Sequence, residues 1–128
     1  REKYEREYES TGKEFGLAVI TYYSLASGFL TGKYLNDSDF SKSARGEGIQ
    51  KKYWNDRGKK IVKALNEIAS AYRTTSSSVA LAWILHNPTI TAPIVSATDH
   101  SQLQSFVAAL QLRLGDEAIE KLMNASAY

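Results

Sequence analysis

The chain has 128 residues, of which 43% are hydrophobic and 23% are charged, and its formal net charge is +2 at pH 7. These proportions are ordinary for a globular protein and exclude a disordered or low-complexity chain. The small positive charge is spread among acidic residues, so it does not favour a nucleic-acid-binding role, and we interpret the basic stretch 51–63 mainly as a solvated helix face. We expect one domain with a hydrophobic core of its own.

Cysteine is absent and there are only two histidines, which excludes disulfide bonds and thiol catalysis and makes a zinc site unexpected. No apolar run approaches the roughly 20 residues that span a bilayer, and the first ten residues, REKYEREYES, are too charged for a signal peptide. We therefore expect no metal, no membrane contact and a cytoplasmic location.

The first half of the chain predicts a helix, a strand and a long loop. Residues 2–13 are highly charged, with apolar points at Tyr4 and Tyr8, which is typical of a weakly amphipathic helix. Residues 17–20 are apolar and uncharged, as in a parallel strand that is buried on both faces. Residues 33–55 contain few aliphatic side chains, and a loop of that length indicates a function.

The middle of the chain predicts two helices. Apolar residues recur at helical spacing over residues 56–72, and Thr75 is a good N-cap for the helix that follows. This second helix contains the almost wholly apolar run 79–85, so it must be buried, and it stops at Asn87 and Pro88.

The remaining third predicts a second strand and two more helices. The strand covers residues 92–97, and Asp99 with Gln102 fits a capping box that opens the next helix. The last helix covers residues 116–125. The helix that opens at Asp99 has its apolar residues at Leu103, Phe106, Val107 and Leu110. The last helix has Ile119, Leu122 and Met123 on its inward face.

Both predicted strands end in small and hydroxylated residues. Ser24, Ala26, Ser27 and Gly28 follow the first strand, with Lys33 a few residues on, and Ser96, Ala97 and Thr98 end the second. Small residues let backbone N–H groups approach an anion, and serine hydroxyls and a lysine add donors and charge. An ordinary strand-to-loop turn also favours Ser and Gly. Two such ends together, however, fit the phosphate site that follows the seventh and eighth strands of a (β/α)8 barrel.

Two buried parallel strands cannot satisfy their own edges, and a (β/α)8 barrel needs about 250 residues. We therefore predict an α/β fold in which residues 1–128 form a single partial domain, the C-terminal portion of a (β/α)8 TIM barrel with about two parallel strands plus helices. The barrel would be completed by a larger protein or by another chain. Exposed barrel edges would permit self-association.

The chain resembles the aldo-keto reductase family over essentially its full length, and three stretches carry the resemblance. YSLASGFLTGKY at 23–34 is similar to the family's seventh-strand stretch, and SARG at 43–46 is similar to the loop that closes over the cofactor. VALAWILHNPTITAPIVSATDHSQL at 79–103 is similar to the family's helix and eighth strand. The resemblance implies NADP(H)-dependent reduction of a small carbonyl substrate, by hydride transfer to carbon while a tyrosine protonates the oxygen.

The resemblance also implies a role for individual residues of the cofactor site. Tyr22 would stack on the nicotinamide ring, although a core aromatic at the barrel mouth is the alternative. The pyrophosphate would lie beside Leu25, Ala26, Ser27 and Gly28. The cofactor phosphates would be reached by Lys33 and Arg45. The adenosine end would be held by Ser96, Thr98 and Gln102.

Structural alternatives exist for several of these positions. Lys33 and Arg45 would otherwise be surface charges, and Thr98 and Gln102 would otherwise be capping groups. The family pattern is also broken at two places, where Tyr23 and Ser24 replace Ser-Pro and where Ser105 and Phe106 replace Glu-Asn. We interpret Phe106 as a core residue. Few cations lie near the adenosine phosphate position, so a preference for NADPH over NADH depends on the resemblance and on Arg45.

The catalytic residues of the family have no counterpart in this chain. The tyrosine, lysine, aspartate and histidine of that group belong to the first half of the barrel, and no tyrosine here lies in the matching motif. His86 and His100 are interpreted as capping, packing or solvated residues, so we assign no catalytic residue. Two further hypotheses stay open: a nucleotide-sensing regulatory protein similar to potassium channel β subunits, and an inactive truncated fragment.

Overall fold

The computed structural model describes residues 1–128, apart from the side chain of Lys42. It is a mixed, mainly helical structure with two short parallel strands. The helical segments and strands, in chain order, are a π-helical turn Tyr4–Tyr8, α1 Glu9–Glu14, β1 Ile20–Thr21, the 3-10 segments Ala26–Thr31 and Asp37–Lys42, α2 Gly46–Tyr53, α3 Asp56–Ala71, α4 Ser76–His86, β2 Ala92–Pro93, α5 His100–Gln111 and α6 Asp116–Ala125.

The strands β1 and β2 are adjacent and parallel, which confirms the predicted pairing of the two apolar runs. Ile20 lies opposite Ala92, and Thr21 lies opposite Pro93. The pairing continues on both sides, because Thr91 donates to the carbonyl of Val19 at 2.8 Å and Ile94 donates to that of Thr21 at 2.7 Å. Both strands are nevertheless shorter than the predicted runs 17–20 and 92–97.

The prediction that the first strand is buried on both faces is wrong for this chain. Leu17 is 56% exposed and Ile20 is 58% exposed, and Ile94 beside β2 is 57% exposed. One side is lined by the N-terminal helical segment, where Gly12 faces Val19. The part of the chain that the structure describes has a sheet of two strands, so no third strand covers the remaining surface.

The predicted long helices and the predicted cap at Thr75 are confirmed. Thr75 accepts a hydrogen bond from the backbone N–H of Ser78 and so caps α4, whose first seven residues are all buried. Asn55 caps α3 in the same way through Gly58. The helix α3 packs against α4 and α6. The core between these three helices contains Leu65, Ile68, Val79 and Leu122, all of them buried.

The predicted loop over residues 33–55 is wrong, because this segment folds into a 3-10 segment and the helix α2. Its aromatic side chains form a second core. Tyr34 stacks on Phe40 with ring centroids 4.6 Å apart, and Trp54 meets Phe40 edge to face at 5.1 Å. These residues lie at irregular spacing, so neither a helical nor a strand period reveals their burial in the sequence.

The predicted apolar face of α5 points mainly to solvent. Leu103, Val107 and Leu110 are each more than half exposed, whereas Ala109 is buried and Phe106 is partly buried. The contact between α5 and α4 includes the hydrogen bond from the Ser78 hydroxyl to the backbone carbonyl of Ser105. In α6, Leu122 is buried as predicted, but Met123 is exposed.

Within the described part of the chain, no helix combines the length and the apolarity that crossing a membrane requires.

Candidate functional site

The ends of β1 and β2 lie side by side at one edge of the sheet. The hydrogen bond from Ile94 to Thr21 pairs the last residue of β1 with the first residue after β2. Tyr22 therefore begins the segment that leaves one strand, and Ser96 lies on the segment that leaves the other. Since both strands run in the same direction, the two small-residue segments start from a common edge, as expected for a barrel phosphate site.

The segment after β1 contains a cluster of left-handed backbone conformations. Tyr23, Ala26 and Ser27 have φ angles of 54°, 50° and 59°, and Gly28 has a φ of 95°. Left-handed conformations at non-glycine residues are uncommon, and such strain concentrates at functional sites. The buried Ser24 stabilises the turn, because its hydroxyl donates to the carbonyl of Thr21 at 3.1 Å. This is how the chain bends where Tyr23 and Ser24 replace Ser-Pro.

A surface pocket of about 350 Å³ lies between this turn and the helix α2. It brings together Ser27 and Arg45, two residues that the sequence interpretation assigned to phosphate binding. The side chain of Lys33 lies next to the same turn. Its Nζ is 3.9 Å from the position that a Cβ on Gly28 would occupy. The complete lining of the pocket is Ser27, Ala44, Arg45, Gly48, Ile49, Lys52 and Tyr53.

The pocket is electrostatically positive. Neither Lys33 nor Arg45 nor Lys52 forms an ion pair with any carboxylate among the described residues. The pocket lining includes no Asp or Glu. Cations without a carboxylate partner around a cavity are suited to an anionic ligand, because the ligand supplies the missing charge.

Lys52 is a pocket residue that the sequence interpretation missed, since the basic stretch 51–63 was interpreted as a solvated helix face. Its Nζ lies 5.7 Å from the ring centroid of Tyr23 and 5.2 Å from that of Tyr53. The signal that could have found it is its spacing of seven residues from Arg45, because two turns of a helix return a side chain to the same face. That signal requires α2, which was not predicted.

Tyr22 projects from the strand edge and is 76% exposed. It does not belong to the core that the described residues form. Its ring meets that of Tyr23 edge to face, with centroids 5.2 Å apart. Of the other predicted residues on this segment, Leu25 packs partly buried against the helical core and Ala26 packs against the aromatic core.

The second group of predicted residues lies at the start of α5, where Asp99 is the N-cap. Asp99 Oδ1 accepts from the backbone N–H of Gln102 at 2.9 Å, and hydrogen bonds from Ser101 and from this N–H lower the pKa of the Asp99 carboxyl. Gln102 Oε1 in turn accepts from the N–H of Thr98 at 3.0 Å. The capping alternative for Thr98 and Gln102 thus describes the structure. In a capping box, the side chain of Gln102 would accept from the N–H of the N-cap Asp99. Here it accepts from the N–H of Thr98, one residue earlier.

The described residues contain no cluster of His, Cys, Asp and Glu that could hold a metal ion. His86 is the last residue of α4 and His100 is the first residue of α5, and both are exposed.

A sequence model of the Aldo/keto reductase family matches residues 1–127. The chain belongs to the aldo/keto reductase family. The match extends over both strand ends, the left-handed turn and the pocket between the turn and α2. The predicted family is confirmed.

Among its relatives in the aldo/keto reductase family, the chain is 27% identical to an uncharacterized oxidoreductase, YrpG, of Bacillus subtilis, over 92% of this chain and 35% of that protein. It is 31% identical to a probable voltage-gated potassium channel subunit beta of Oryza sativa subsp. japonica, over 95% of this chain and 39% of that protein. It is 32% identical to an L-glyceraldehyde 3-phosphate reductase of Escherichia coli, over 74% of this chain and 29% of that protein. The chain thus spans well under half the length of these curated relatives.

Proposed function

We propose that the chain is the cofactor-binding part of an NADPH-dependent aldo-keto reductase, as the C-terminal portion of a (β/α)8 barrel that other residues complete. The observation that carries this proposal is the parallel pairing of β1 and β2. Because of it, the segments that follow the two strands begin at the same edge of the sheet, and both have residues suited to an anion. The left-handed turn and the cationic pocket next to it support the same conclusion. Residues 1–128 would form a single partial domain.

The described geometry fits a dinucleotide. Tyr22 offers an exposed aromatic ring on which the nicotinamide would stack. Leu25, Ala26, Ser27 and Gly28 would run beside the pyrophosphate, and Lys33 and Arg45 would contact phosphates. Ser96, Thr98 and Gln102 would hold the adenosine end. Gln102 would then have to exchange its hydrogen bonds with Thr98 and Asp99 for bonds to the ligand.

The bound nicotinamide would supply a hydride to the carbonyl carbon of a small substrate. The residues of this chain would bind and orient the cofactor. General acid catalysis needs a group within hydrogen-bond reach of the carbonyl oxygen. We assign that group to the part of the barrel outside this chain, so by itself the chain should bind dinucleotide without turnover.

Two measurements on the purified chain test this proposal. Isothermal titration with NADPH should show saturable binding, and absorbance of the reduced nicotinamide in the presence of an aromatic aldehyde should stay constant. Absence of any binding would contradict the role as a cofactor cradle. Sustained consumption of NADPH would instead contradict the assignment of the catalytic acid to other residues.

A nucleotide-sensing regulatory protein is the second candidate. Relatives named as probable potassium channel β subunits, from Oryza sativa and Arabidopsis thaliana, are 31% and 32% identical to this chain, which equals the likeness to the named reductases. The two candidates can be distinguished by the turnover of carbonyl substrates, measured on the whole protein that contains this chain. A reductase turns over carbonyl substrates rapidly, whereas a sensor binds NADPH with little turnover across a panel of aldehydes. An inactive truncated fragment would bind no dinucleotide at all.

Self-association through the sheet edge remains a proposal as well. The exposed side chains of Leu17, Ile20 and Ile94 support it, because a contiguous apolar edge tends to be covered in solution. Sedimentation velocity over a range of protein concentrations would test it. A purely monomeric chain at all concentrations would contradict it.

A further inference from the structure

We propose that Lys52 is a second phosphate-binding cation, which acts together with Arg45 on the two phosphates that join the halves of a dinucleotide. This inference deepens the proposed function and rests on it. It names a residue that the sequence interpretation left on a solvated helix face.

The placement of Lys52 is the first observation. Lys52 and Arg45 line the same pocket, at opposite ends of the helix α2, and Ser27 lines it from the left-handed turn. No carboxylate lines this pocket. A ligand lying between the turn and α2 would therefore meet two cations and a serine hydroxyl from two sides.

The charge of the pocket is the second observation. Arg45 and Lys52 contribute two positive charges, and neither is neutralised by an ion pair within the described chain. The pyrophosphate of a dinucleotide consists of two phosphodiester groups, each with a single negative charge. The charges therefore balance when both cations contact this group, and charge-assisted hydrogen bonds to phosphate are among the stronger ones.

The present contacts of the Lys52 ammonium are the third observation. It lies over the rings of Tyr23 and Tyr53, at 5.7 Å and 5.2 Å from their centroids. An exposed cation–π contact is weak, so an incoming phosphate can replace it without a large cost. The two rings also hold the ammonium near the pocket. Because Ser27 of the left-handed turn lines the same pocket, a phosphate bound there by Lys52 would join that turn to α2.

The test is isothermal titration of the purified protein with NADPH and separately with NADH, at low and at high salt. We expect Lys52→Met to weaken the binding of both dinucleotides by about fivefold at low salt, and to reduce the salt dependence of binding. Lys52→Arg should retain binding, because it keeps the charge. The matched control is Lys51→Met, which removes the same charge from the neighbouring exposed position outside the pocket and should change binding by less than about twofold.

Each other outcome overturns the inference in a recognisable way. If the wild-type protein binds a dinucleotide and Lys52→Met binds it equally well, the role of Lys52 is refuted and the proposed function is not. An equal loss from Lys51→Met means that only overall charge matters. A loss confined to NADPH means that Lys52 contacts the additional phosphate of NADPH and not the pyrophosphate. If the wild-type protein binds neither dinucleotide, the proposed function fails and this inference fails with it.

Discussion

Ser78 donates its side-chain hydroxyl to the backbone carbonyl of Ser105 at 2.8 Å, and this bond joins α4 to α5. Ser78 is completely buried, and its backbone N–H is held by the Thr75 cap. The bond helps to fix α5 against the buried helix. The start of α5, with Thr98 and Gln102, is thereby positioned relative to the end of β2.

We predict that Ser78→Ala destabilises the protein by about 0.5–1.5 kcal/mol, because the side-chain hydrogen bond that joins α4 to the carbonyl of Ser105 is lost. Urea unfolding monitored by circular dichroism measures the change. The control is Ser70→Ala, at an exposed position of α3, where the change should lie within about 0.5 kcal/mol. Equal stabilities of the two variants would show that the α4–α5 bond contributes nothing.

Tyr22→Ala should weaken NADPH binding by roughly tenfold, because stacking of a heterocyclic base on an aromatic side chain is lost. Its free energy of unfolding should stay within about 0.5 kcal/mol of the wild type, because Tyr22 is 76% exposed. Titration calorimetry and urea unfolding give the two quantities. Tyr22→Phe keeps the ring and should bind as the wild type does. A Phe variant as weak as the Ala variant would refute stacking.

Gly46→Ala should destabilise the protein by about 1–3 kcal/mol through steric overlap. A Cβ at this position would overlap the backbone carbonyl of Phe40, so α2 and the preceding 3-10 segment could not keep their present distance. The control is Gly48→Ala in the same helix, where a Cβ would meet nothing within 4 Å. That variant should be more stable than the wild type by about 0.5–1 kcal/mol. Thermal unfolding of the two proteins side by side would reveal the difference, and similar midpoints would show that α2 does not pack as described.

The Asp99 cap should make stability depend on pH in the acidic range. Hydrogen bonds from Ser101 and Gln102 lower the pKa of Asp99 in the folded state. The cap therefore stabilises the protein above the ordinary pKa of an aspartate, and this contribution is lost as the pH falls through the lowered value. We expect the stability difference between the wild type and Asp99→Ala to shrink on acidification. Asp99→Asn should show little such change, since its amide oxygen accepts without titrating. A difference that does not vary with pH would contradict the role of the carboxylate.

The local features of the helices could be predicted from the sequence. Thr75, Asp99 and the periodic apolar residues of α3 act within one or two helical turns, so their pattern is sufficient to place caps and helices. The candidate site was predicted in part for the same reason. Glycine, serine and lysine at a strand end favour an anion site, although glycine and serine also favour an ordinary turn.

Features that depend on distant contacts were not predictable. The helix α2 exists among residues with no clear period because Phe40, Trp54 and their neighbours form an aromatic core that only the folded chain assembles. Lys52 becomes a pocket residue only through that helix. The exposure of Leu103 is similar, because an apolar stripe shows that a face can be buried but not which neighbour covers it.

The sequence by itself determined the family, the order of the main helices and strands, and the residue types at the strand ends, because all three are recorded in short runs of neighbouring residues. Only the tertiary structure decided the register that sets Ile20 opposite Ala92, and that Arg45 shares a pocket with Ser27. These relationships join residues far apart in the chain. Their free energy comes from contacts that exist only once the intervening helices have packed.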